Sequence, residues 1–344
     1  MTDTTVHRRT SFLLRHSYNP DVARPLAGDA SSRRYWRLAD HGLLLMEEVP
    51  GSPNLQRFTE ISCYLRAIGL SAPHVRVSSF DDGLALVEDF GVQTFTRLIA
   101  EGHAEDRLYA LAVDALAHLH ESVDPRCPDL PSYDWGPLSE ELQMFTRWYA
   151  PQCHTNIDNN EDFECAFLSE WRRVLQQVSA RRDTLVLRDF HVDNLMVING
   201  RSGVAACGLL DFQDALIGST AYDLVSLTQD ARRDLAPGLE DALIDRYLSK
   251  RPNHDRANWL ADYRLLAAHR HTKILGNFER LSKRDGKHGY LAYIPRVQHQ
   301  LVDALDQAEL REIRSLMDKY LPGWSTHRPR PLGGSANVRK EATR

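Results

Sequence analysis

The sequence predicts a two-lobed α+β fold, with a small antiparallel sheet first and a mainly helical lobe after it. Two pairs of apolar runs are each joined by a short turn, Asp40-His41-Gly42 and Asp81-Asp82-Gly83, which is a hairpin signal. Between the pairs, residues 55–68 place apolar side chains at helical spacing. Hairpins in place of βαβ crossovers argue against a doubly wound parallel sheet.

The strands follow directly from these turns. We expect them at Arg33 to Leu38, Leu43 to Glu47, Val75 to Phe80 and Leu84 to Glu88. A short helix around Phe12 to Leu14 and a cluster of turn-forming residues at 25–32 precede the first strand.

The remainder of the chain is predicted to be mostly helical. A long helix begins near Glu105, and a loop with four prolines spans residues 124–138. Helices follow at about 139–150 and 162–180, a strand region at 185–210, and further helices at 222–320. We therefore expect an N-terminal lobe at 1–91, a helical C-terminal lobe with the catalytic loop and substrate site at 92–324, and a flexible tail at 325–344.

Composition excludes several classes of protein. The chain has 344 residues and a formal net charge of -5, so no basic field predicts nucleic-acid binding. No apolar run approaches the ~20 residues of a membrane span, and the first residues lack the apolar core of a signal peptide. The five scattered cysteines form no C-x-x-C pair, which favours a reducing cytoplasm over a disulfide framework. The oligomeric state stays open, with a monomer favoured.

The chemistry is predicted at two neighbouring motifs, Leu187-Arg-Asp-Phe-His-Val-Asp-Asn194 and Gly208-Leu-Leu-Asp211. Phosphoryl transfer needs a carboxylate that aims the acceptor hydroxyl, and hard oxygen ligands for metal ions on the phosphates. The spacing assigns the first role to Asp189 as catalytic base. Asn194 and Asp211 are predicted to hold Mg²⁺.

The phosphate-binding cation is predicted to be an arginine, because the first lysine of the chain is Lys250. The candidates are Arg33, Arg34 and Arg37, with Arg37 favoured. Strand alternation places Arg33, Tyr35 and Arg37 on one face, and Arg34, Trp36 and Leu38 on the other.

These motifs resemble the kinase-like fold, and specifically the aminoglycoside phosphotransferase-like small-molecule kinases. Four wider patterns are similar to the anomeric N-acetylmuramate/N-acetylglucosamine kinases: the G-D-A-S-x-R-R-Y-x-R pattern from Gly28, the L-D-F-Q-D-A pattern, Tyr222-Asp-Leu, and the basic segment at 270–287. The resemblance implies ATP-dependent phosphorylation of a sugar's C1 hydroxyl in cell-wall recycling.

The resemblance also implies a nucleotide site. Its expected residues are Gly28, Ser31, Ser32, Arg33, Arg37, Glu60 and Glu88, with Glu60 anchoring the cation and the segment at Glu88 facing adenine. Three features depart from the family: Leu187 replaces a histidine, the third strand has no lysine, and Glu47-Glu48-Val49 replaces the usual D-A-P. Asp89-Phe-Gly91 precedes the catalytic loop, so Asp89 is interpreted as a capping residue and not as a metal ligand.

The substrate site is predicted less directly. Helical spacing places Arg270, Lys273, Arg280 and Arg284 on one face of a helix, a basic stripe that suits an anionic sugar or simply a solvated face. His191 and Asp214 are further candidates, and Trp135, Trp148 and Tyr149 are candidates for stacking on a sugar ring.

Three alternatives remain open at this point. The chain could be another small-molecule kinase, acting on choline, an aminoglycoside or a different amino sugar. It could be a nucleotide-binding pseudokinase, which the missing lysine favours and the intact Asp189, Asn194 and Asp211 disfavour. A protein kinase is discounted, because no A-P-E-like segment follows Asp211.

Overall fold

The computed structural model describes residues 3–26, 33–122, 127–153, 160–252 and 255–329. The chain divides into two compact units. The first unit consists of Met1–Ser132, Arg182–Thr228 and Leu235–Arg256, and the second of Tyr133–Arg181, Gln229–Asp234 and Ala257–Arg344.

Nine strands are described: β1 Ala23–Pro25, β2 Arg34–Leu38, β3 Leu43–Glu47, β4 Val75–Ser79, β5 Leu84–Glu88, β6 Thr184–Val186, β7 Leu195–Val197, β8 Cys207–Leu209 and β9 Leu216–Gly218. The described α-helices are α1 Asp3–Arg15, α2 Pro53–Ala67, α3 Phe95–Ala100, α4 Glu105–Glu121, α5 Trp135–Met144, α6 Ala150–Cys153, α7 Asn160–Val174, α8 Tyr222–Thr228, α9 Leu239–Ser249, α10 Arg256–Asp285, α11 Ile294–Gln307 and α12 Arg311–Tyr320.

A five-stranded antiparallel sheet in the order β1-β2-β3-β5-β4 dominates the start of the first unit. Both predicted hairpins are present, and the expected α+β class is confirmed. The edge strand β1 was not predicted, because Pro25 indicated a turn. Proline is tolerated at a sheet edge, where its missing N–H interrupts no ladder.

Helix α2 crosses between the two hairpins. The Ser52 side chain caps it by accepting a hydrogen bond from the Asn54 N–H at 3.2 Å. The helix buries Leu55, Phe58 and Ile61, as its periodicity predicts. The next glycine, Gly69, has φ of +86°, which ends the helix in the left-handed region.

Helix α1 packs on the sheet through Phe12 and Leu13, which join a core cluster with Trp36 of β2. Arg8 and Arg9 pair with the buried Glu47 at 2.6 and 3.5 Å. This contact accounts for Glu47, one of the departures from the family pattern.

The rest of the first unit carries two small hairpins, in which β6 pairs with β9 and β7 with β8. Helix α4 packs beside them and α9 packs on α4, where the Arg246 guanidinium of α9 forms a bidentate pair with Asp114 of α4, both bonds at 2.7 Å. These hairpins position the predicted catalytic segments.

The second unit contains α5, α6, α7, α10, α11 and α12. Between α5 and α6, residues Phe145–Tyr149 form a wider π-helical turn. Gly276 of α10 lies so close to this turn that a Cβ there would be 2.2 Å from the Met144 carbonyl carbon. Helix α5 starts at Trp135, inside the segment predicted as loop.

The described start of the predicted tail is held against α11. Gln298 Nε2 donates to the His327 carbonyl at 2.8 Å, and Arg328 Nη1 donates to Gln298 Oε1 at 2.8 Å. Residues 327 and 328 are thus hydrogen-bonded to α11, residues 330–344 lie outside the described part of the chain, and the flexible tail stays a prediction. Within the described residues, no helix combines the length and apolarity needed to cross a membrane.

Candidate active site

A cavity of about 390 Å³ lies in the first unit, beside the sheet. Its apolar wall comes from Leu26, Leu44, Val87, Met196 and Leu210. Its polar lining is Arg33, Tyr35, Arg37, Asn194 and Asp211, and the segment Glu88 to Gly91 borders it. The cavity thus combines an apolar wall with cations and hard oxygen donors.

The catalytic loop is fixed by Asp223 of α8. This carboxylate is 1% exposed and accepts hydrogen bonds from the Leu187 N–H at 2.6 Å and the Arg188 N–H at 2.8 Å. Arg188 has φ of +70°, a strained value for a non-glycine residue. Ser226 Oγ adds a bond to the Arg188 carbonyl at 3.2 Å.

Asp223 was not predicted as a functional residue, although it lies in the quoted Tyr222-Asp-Leu motif. The Leu187 departure is explained by the same contact. The loop is held through the backbone N–H of Leu187, and its side chain is buried in the core at 4% exposure.

Asp189 lies half-buried at the turn of this loop. Its carbonyl accepts hydrogen bonds from the His191 N–H at 3.1 Å and from Asn194 Nδ2 at 2.9 Å. The predicted base and the predicted metal ligand are thus tied together by a direct hydrogen bond.

Asn194 and Asp211 both line the cavity, and the Leu210 N–H donates to the Asn194 carbonyl at 3.0 Å. Asp211 has φ of +58°, a second strained position. Because Asn194 Nδ2 is turned to the Asp189 carbonyl, Oδ1 is the atom that remains for a cation. A neutral and a charged oxygen ligand fit Mg²⁺, which takes one or two protein ligands plus phosphate oxygens. Among the described residues, no group of three His, Cys, Asp or Glu side chains could hold a metal ion by itself.

Arg33 is the buried cation of the cavity, at 6% exposure. Its Nε donates to Glu48 Oε2 at 3.2 Å and its Nη1 to Gln213 Oε1 at 2.8 Å. Burial disfavours the charged guanidinium, but Tyr35, Glu48 and Asp211 outweigh it and raise the pKa of Arg33 above its ordinary value. For the Tyr35 phenol, burial is itself the main cause of a raised pKa.

Arg37, the favoured candidate, is engaged elsewhere. It binds Asp89 through two hydrogen bonds of 2.5 and 2.9 Å and donates to the Gly91 carbonyl at 3.0 Å. Asp89 Oδ1 also accepts from the Gly91 N–H at 2.8 Å, consistent with its interpretation as a capping residue. Arg34 is exposed and does not line the cavity, in agreement with the strand alternation.

The structure does not place Glu60 at the cavity. Its side chain is exposed and accepts a hydrogen bond from Gln56 Nε2 at 2.8 Å, because α2 buries Phe58 and Ile61 instead. Phe58 lies beneath the Arg33 guanidinium at 5.6 Å and stacks on Phe212 at 5.0 Å. The anchor expected from Glu60 is supplied by Glu48 at the end of β3.

Glu88 borders the cavity, but its carboxylate is turned to basic side chains. It pairs with Arg66 at 3.3 Å and forms a short contact with Arg201. Arg201 also lies over the Phe90 ring at 5.4 Å. The segment from Glu88 to Gly91 is therefore held in place by its side chains, and its backbone is the part that can face a ligand. The predicted loop residues Gly28, Ser31 and Ser32 lie outside the described residues.

The candidate substrate residues have different surroundings. His191 is 6% exposed, with Nε2 3.4 Å from Asn194 Nδ2, so the structure places it under the loop. Asp214 is exposed, and its carbonyl accepts from Arg188 Nη1 at 3.3 Å.

The predicted basic stripe lies in the second unit, where Arg270, Lys273 and Arg280 are buried or half-buried and Arg284 is exposed. Arg270 is buried at 5% exposure. Lys273 Nζ binds Glu141 at 2.8 Å, and Arg280 binds Asn277 Oδ1 at 2.6 Å. The stripe arose from helical spacing alone, which does not show that α10 is packed on most sides.

The three aromatic candidates for stacking on a sugar ring differ in their burial. Tyr149 is fully buried and donates its hydroxyl to the Trp324 carbonyl at 2.5 Å, so it belongs to the core. Trp135 is half-buried, with the Arg172 guanidinium 5.7 Å from its ring, and Trp148 is half-buried.

Comparison with known families identifies the family of the chain. A model of the phosphotransferase enzyme family (APH) matches residues 22–260. The chain belongs to this family. It is therefore a phosphotransferase, and the catalytic-loop and Asp211 motifs both fall within the matched range.

Two curated relatives are similar over most of their length. The N-acetylmuramate/N-acetylglucosamine kinase of Caulobacter vibrioides is 33% identical, over 91% of this chain and 96% of that protein. The enzyme of the same name from Pseudomonas aeruginosa is 31% identical, over 85% of this chain and 87% of that protein. The predicted resemblance to this group within the phosphotransferase family is confirmed.

Among solved structures, the streptomycin–ATP ternary complex of the aminoglycoside phosphotransferase APH(2'')-IIa superposes with a TM-score of 0.60 at 14% identity. The match covers 92% of this chain and 99% of that one. At this identity the likeness shows the fold alone, and it confirms the predicted kinase-like fold.

Proposed function

We propose that this phosphotransferase family member transfers the γ-phosphoryl group of ATP to the C1 hydroxyl of N-acetylmuramate, N-acetylglucosamine or a close amino sugar. The observation that carries the proposal is the meeting of Arg33, Asn194 and Asp211 in one cavity, with Asp189 bonded to Asn194. The names of the relatives supply the sugar.

Asp189 is proposed as the base. A half-buried carboxylate on a fixed loop can accept a hydrogen bond from an acceptor hydroxyl and orient it toward phosphorus. A hemiacetal hydroxyl is more acidic than an ordinary sugar alcohol, because the ring oxygen withdraws electron density. The loose transition state of phosphoryl transfer also demands little from the base.

Arg33 is proposed to hold the α- or β-phosphate. Its burial and its contacts with Glu48 and Phe58 hold the guanidinium in one orientation. Little side-chain conformational entropy is therefore lost when the phosphate binds. Asn194 and Asp211 are proposed to hold Mg²⁺, which would neutralise charge on the phosphate oxygens. The apolar wall of Leu44, Val87 and Met196 suits an adenine ring, and the backbone near Glu88 would face its polar edge.

The acceptor site receives less support from the chain itself. Because Lys273 is paired with Glu141 and Arg270 is buried, the basic stripe does not argue for an anionic sugar. The proposal therefore covers both the lactyl-bearing and the plain amino sugar. His191 and Asp214 stay candidates for contact with the acceptor.

The predicted division into lobes at residue 91 and the monomeric state remain proposals. A cytoplasmic location is proposed because ATP and the recycled sugars occur there. The scattered cysteines, which form no C-x-x-C pair, suit a reducing compartment.

The experiment uses N-acetylmuramate and N-acetylglucosamine, each beside its 1-O-methyl glycoside, with ATP and Mg²⁺. We expect a phosphorylated product, detected by mass spectrometry, from the reducing sugars and not from the glycosides. Similar turnover of the blocked glycosides would show that C1 is not the acceptor. Turnover of choline or an aminoglycoside in place of the sugars would assign the chain to another branch of its family.

A further inference from the structure

Gln213 lies between the phosphate cation and the metal ligand proposed above. Its Oε1 accepts a hydrogen bond from Arg33 Nη1 at 2.8 Å, and its Nε2 donates one to Asp211 Oδ1 at 2.8 Å. The Gln213 side chain is 6% exposed, and its bond to Arg33 is buried, whereas its bond to Asp211 is partly buried.

A primary amide fits the chemistry of this position. A guanidinium has only donors and an ionised carboxylate has only acceptors, so a bridge between them needs one acceptor and one donor at fixed spacing. The pattern also fixes the amide orientation, because a flipped amide would face donor to donor and acceptor to acceptor. A carboxylate at position 213 would repel Asp211, and an amine would repel Arg33.

The bridge occupies one atom of each charged group. Gln213 takes Nη1 of Arg33 and Oδ1 of Asp211, while Glu48 takes Nε of Arg33. Two bonds to different atoms of one guanidinium fix its plane, which a single ion pair would not do. The position of the Asp211 carboxylate is restrained by two features, the positive φ of its backbone and the hydrogen bond from the Gln213 amide.

We propose that Gln213 is a positioning residue that aims Arg33 at the nucleotide phosphates and Asp211 at the metal ion. This inference rests on the nucleotide site of the proposed function. It predicts that Gln213 strengthens nucleotide binding even without metal, through Arg33, and that it also strengthens the enhancement that Mg²⁺ gives, through Asp211.

The test measures ADP affinity by calorimetry, once in EDTA and once in Mg²⁺, for Gln213→Met. Methionine keeps the length and removes both hydrogen bonds. We expect metal-free affinity to fall about tenfold, the effect of one hydrogen bond to a charged group, and the Mg²⁺ enhancement to shrink. Gln56→Met is the matched control, since it removes an exposed amide–carboxylate bond on α2 and is expected to leave both affinities unchanged.

A double variant separates positioning from general damage. If Gln213 acts through Arg33, Arg33→Met with Gln213→Met should lose no more metal-free affinity than Arg33→Met alone. Additive losses, or an unchanged metal-free affinity in Gln213→Met, would overturn the proposal. If Gln213→Met unfolds, Gln213→Asn, which is too short to span both partners, must show the same loss.

These outcomes are distinct from failure of the proposed function. Absence of sugar phosphorylation with the Gln213 effects intact would overturn only the acceptor. Normal sugar phosphorylation with no Gln213 effect would overturn only the bridge.

Discussion

At the residue scale, the cation of the cavity is held in a planar geometry that a lysine could not reproduce. Arg33 binds Glu48 and Gln213 through different nitrogens of one planar guanidinium, and it lies over Phe58. An ammonium is a point charge without this plane, so the two residues are not interchangeable here. We therefore propose that Arg33, together with Glu48, Gln213 and Phe58, takes the place of the missing lysine.

Arg33→Met should weaken ADP binding about 10- to 100-fold, because a charge-assisted contact to phosphate contributes roughly 1.5–3 kcal/mol. Calorimetric titration with ADP measures the change. Arg34→Met is the matched control, since Arg34 is an exposed residue that does not line the cavity, and this variant should bind ADP as the unmodified chain does. Equal losses in the two variants would contradict the assignment.

Asp189→Asn should lower kcat by about 10²- to 10⁴-fold while ADP affinity stays unchanged, because the carboxylate is proposed to act on the acceptor and not on the nucleotide. Steady-state kinetics with the amino sugar and calorimetry with ADP measure the two effects. Asp183→Asn, an exposed position just before β6, serves as the control. A variant that retains near-native kcat would show that Asp189 is not the base.

At the element scale, the catalytic loop depends on α8 for its shape. Both oxygens of Asp223 accept backbone N–H groups of the loop, next to the strained Arg188. An asparagine there would face one of these donors with its own NH₂ group. The loop geometry and the stability of the unit are therefore linked through one buried carboxylate.

Asp223→Asn should lower the free energy of unfolding by about 1–3 kcal/mol, the cost of leaving a buried donor unsatisfied. It should also reduce kcat, since Asp189 follows directly in the loop. Ser226→Ala removes only the bond to the Arg188 carbonyl and should cost less than Asp223→Asn. Urea titration measures both variants, and an equal or reversed order would contradict the role of Asp223.

The sheet could be predicted from local sequence, and the pairing of its charges could not. The Asp-x-Gly turns specify both hairpins, because such turns need glycine at positive φ, as at Gly42 and Gly83. The choice between Glu60 and Glu48 as anchor for Arg33 depends on how α2 rotates against the sheet. That rotation is set by Phe58 and Ile61 in the assembled core, so a motif alignment does not reveal it.

The catalytic motifs show the same limit. The D-x-x-x-x-N spacing brings Asp189 beside Asn194, a local relation that the chain order alone determines. The contacts of Asp223 and Gln213 cross 35 residues and 180 residues of sequence, respectively. Such contacts follow from the topology of the hairpins and helices. In the sequence, Gln213 and Asp223 are visible only as members of the L-D-F-Q-D-A and Tyr222-Asp-Leu patterns, which do not show what they contact.

At the scale of the whole molecule, several charged and titratable groups are buried in the second unit. His271 of α10 is fully buried, and its Nε2 lies 2.7 Å from Gln229 Oε1, an acceptor that a neutral imidazole can bind. Burial, helped by the neighbouring Arg270, lowers the pKa of His271 to about 3. The unfolded chain would bind a proton at this histidine near pH 6.5, long before the folded chain does.

His271 should therefore make the stability of the chain fall in acid. Its contribution is fully present above pH 6.5 and is lost as the pH falls from there toward 3, because unfolding then takes up a proton. Relative to His271→Gln, the unmodified chain should lose about 2 kcal/mol of unfolding free energy between pH 7.5 and pH 5, at about 1.4 kcal/mol per pH unit below 6.5. Urea titrations at both values measure the difference, with His103→Gln at an exposed turn as the control. Parallel pH profiles for His271→Gln and the unmodified chain would show that the buried imidazole does not govern acid stability.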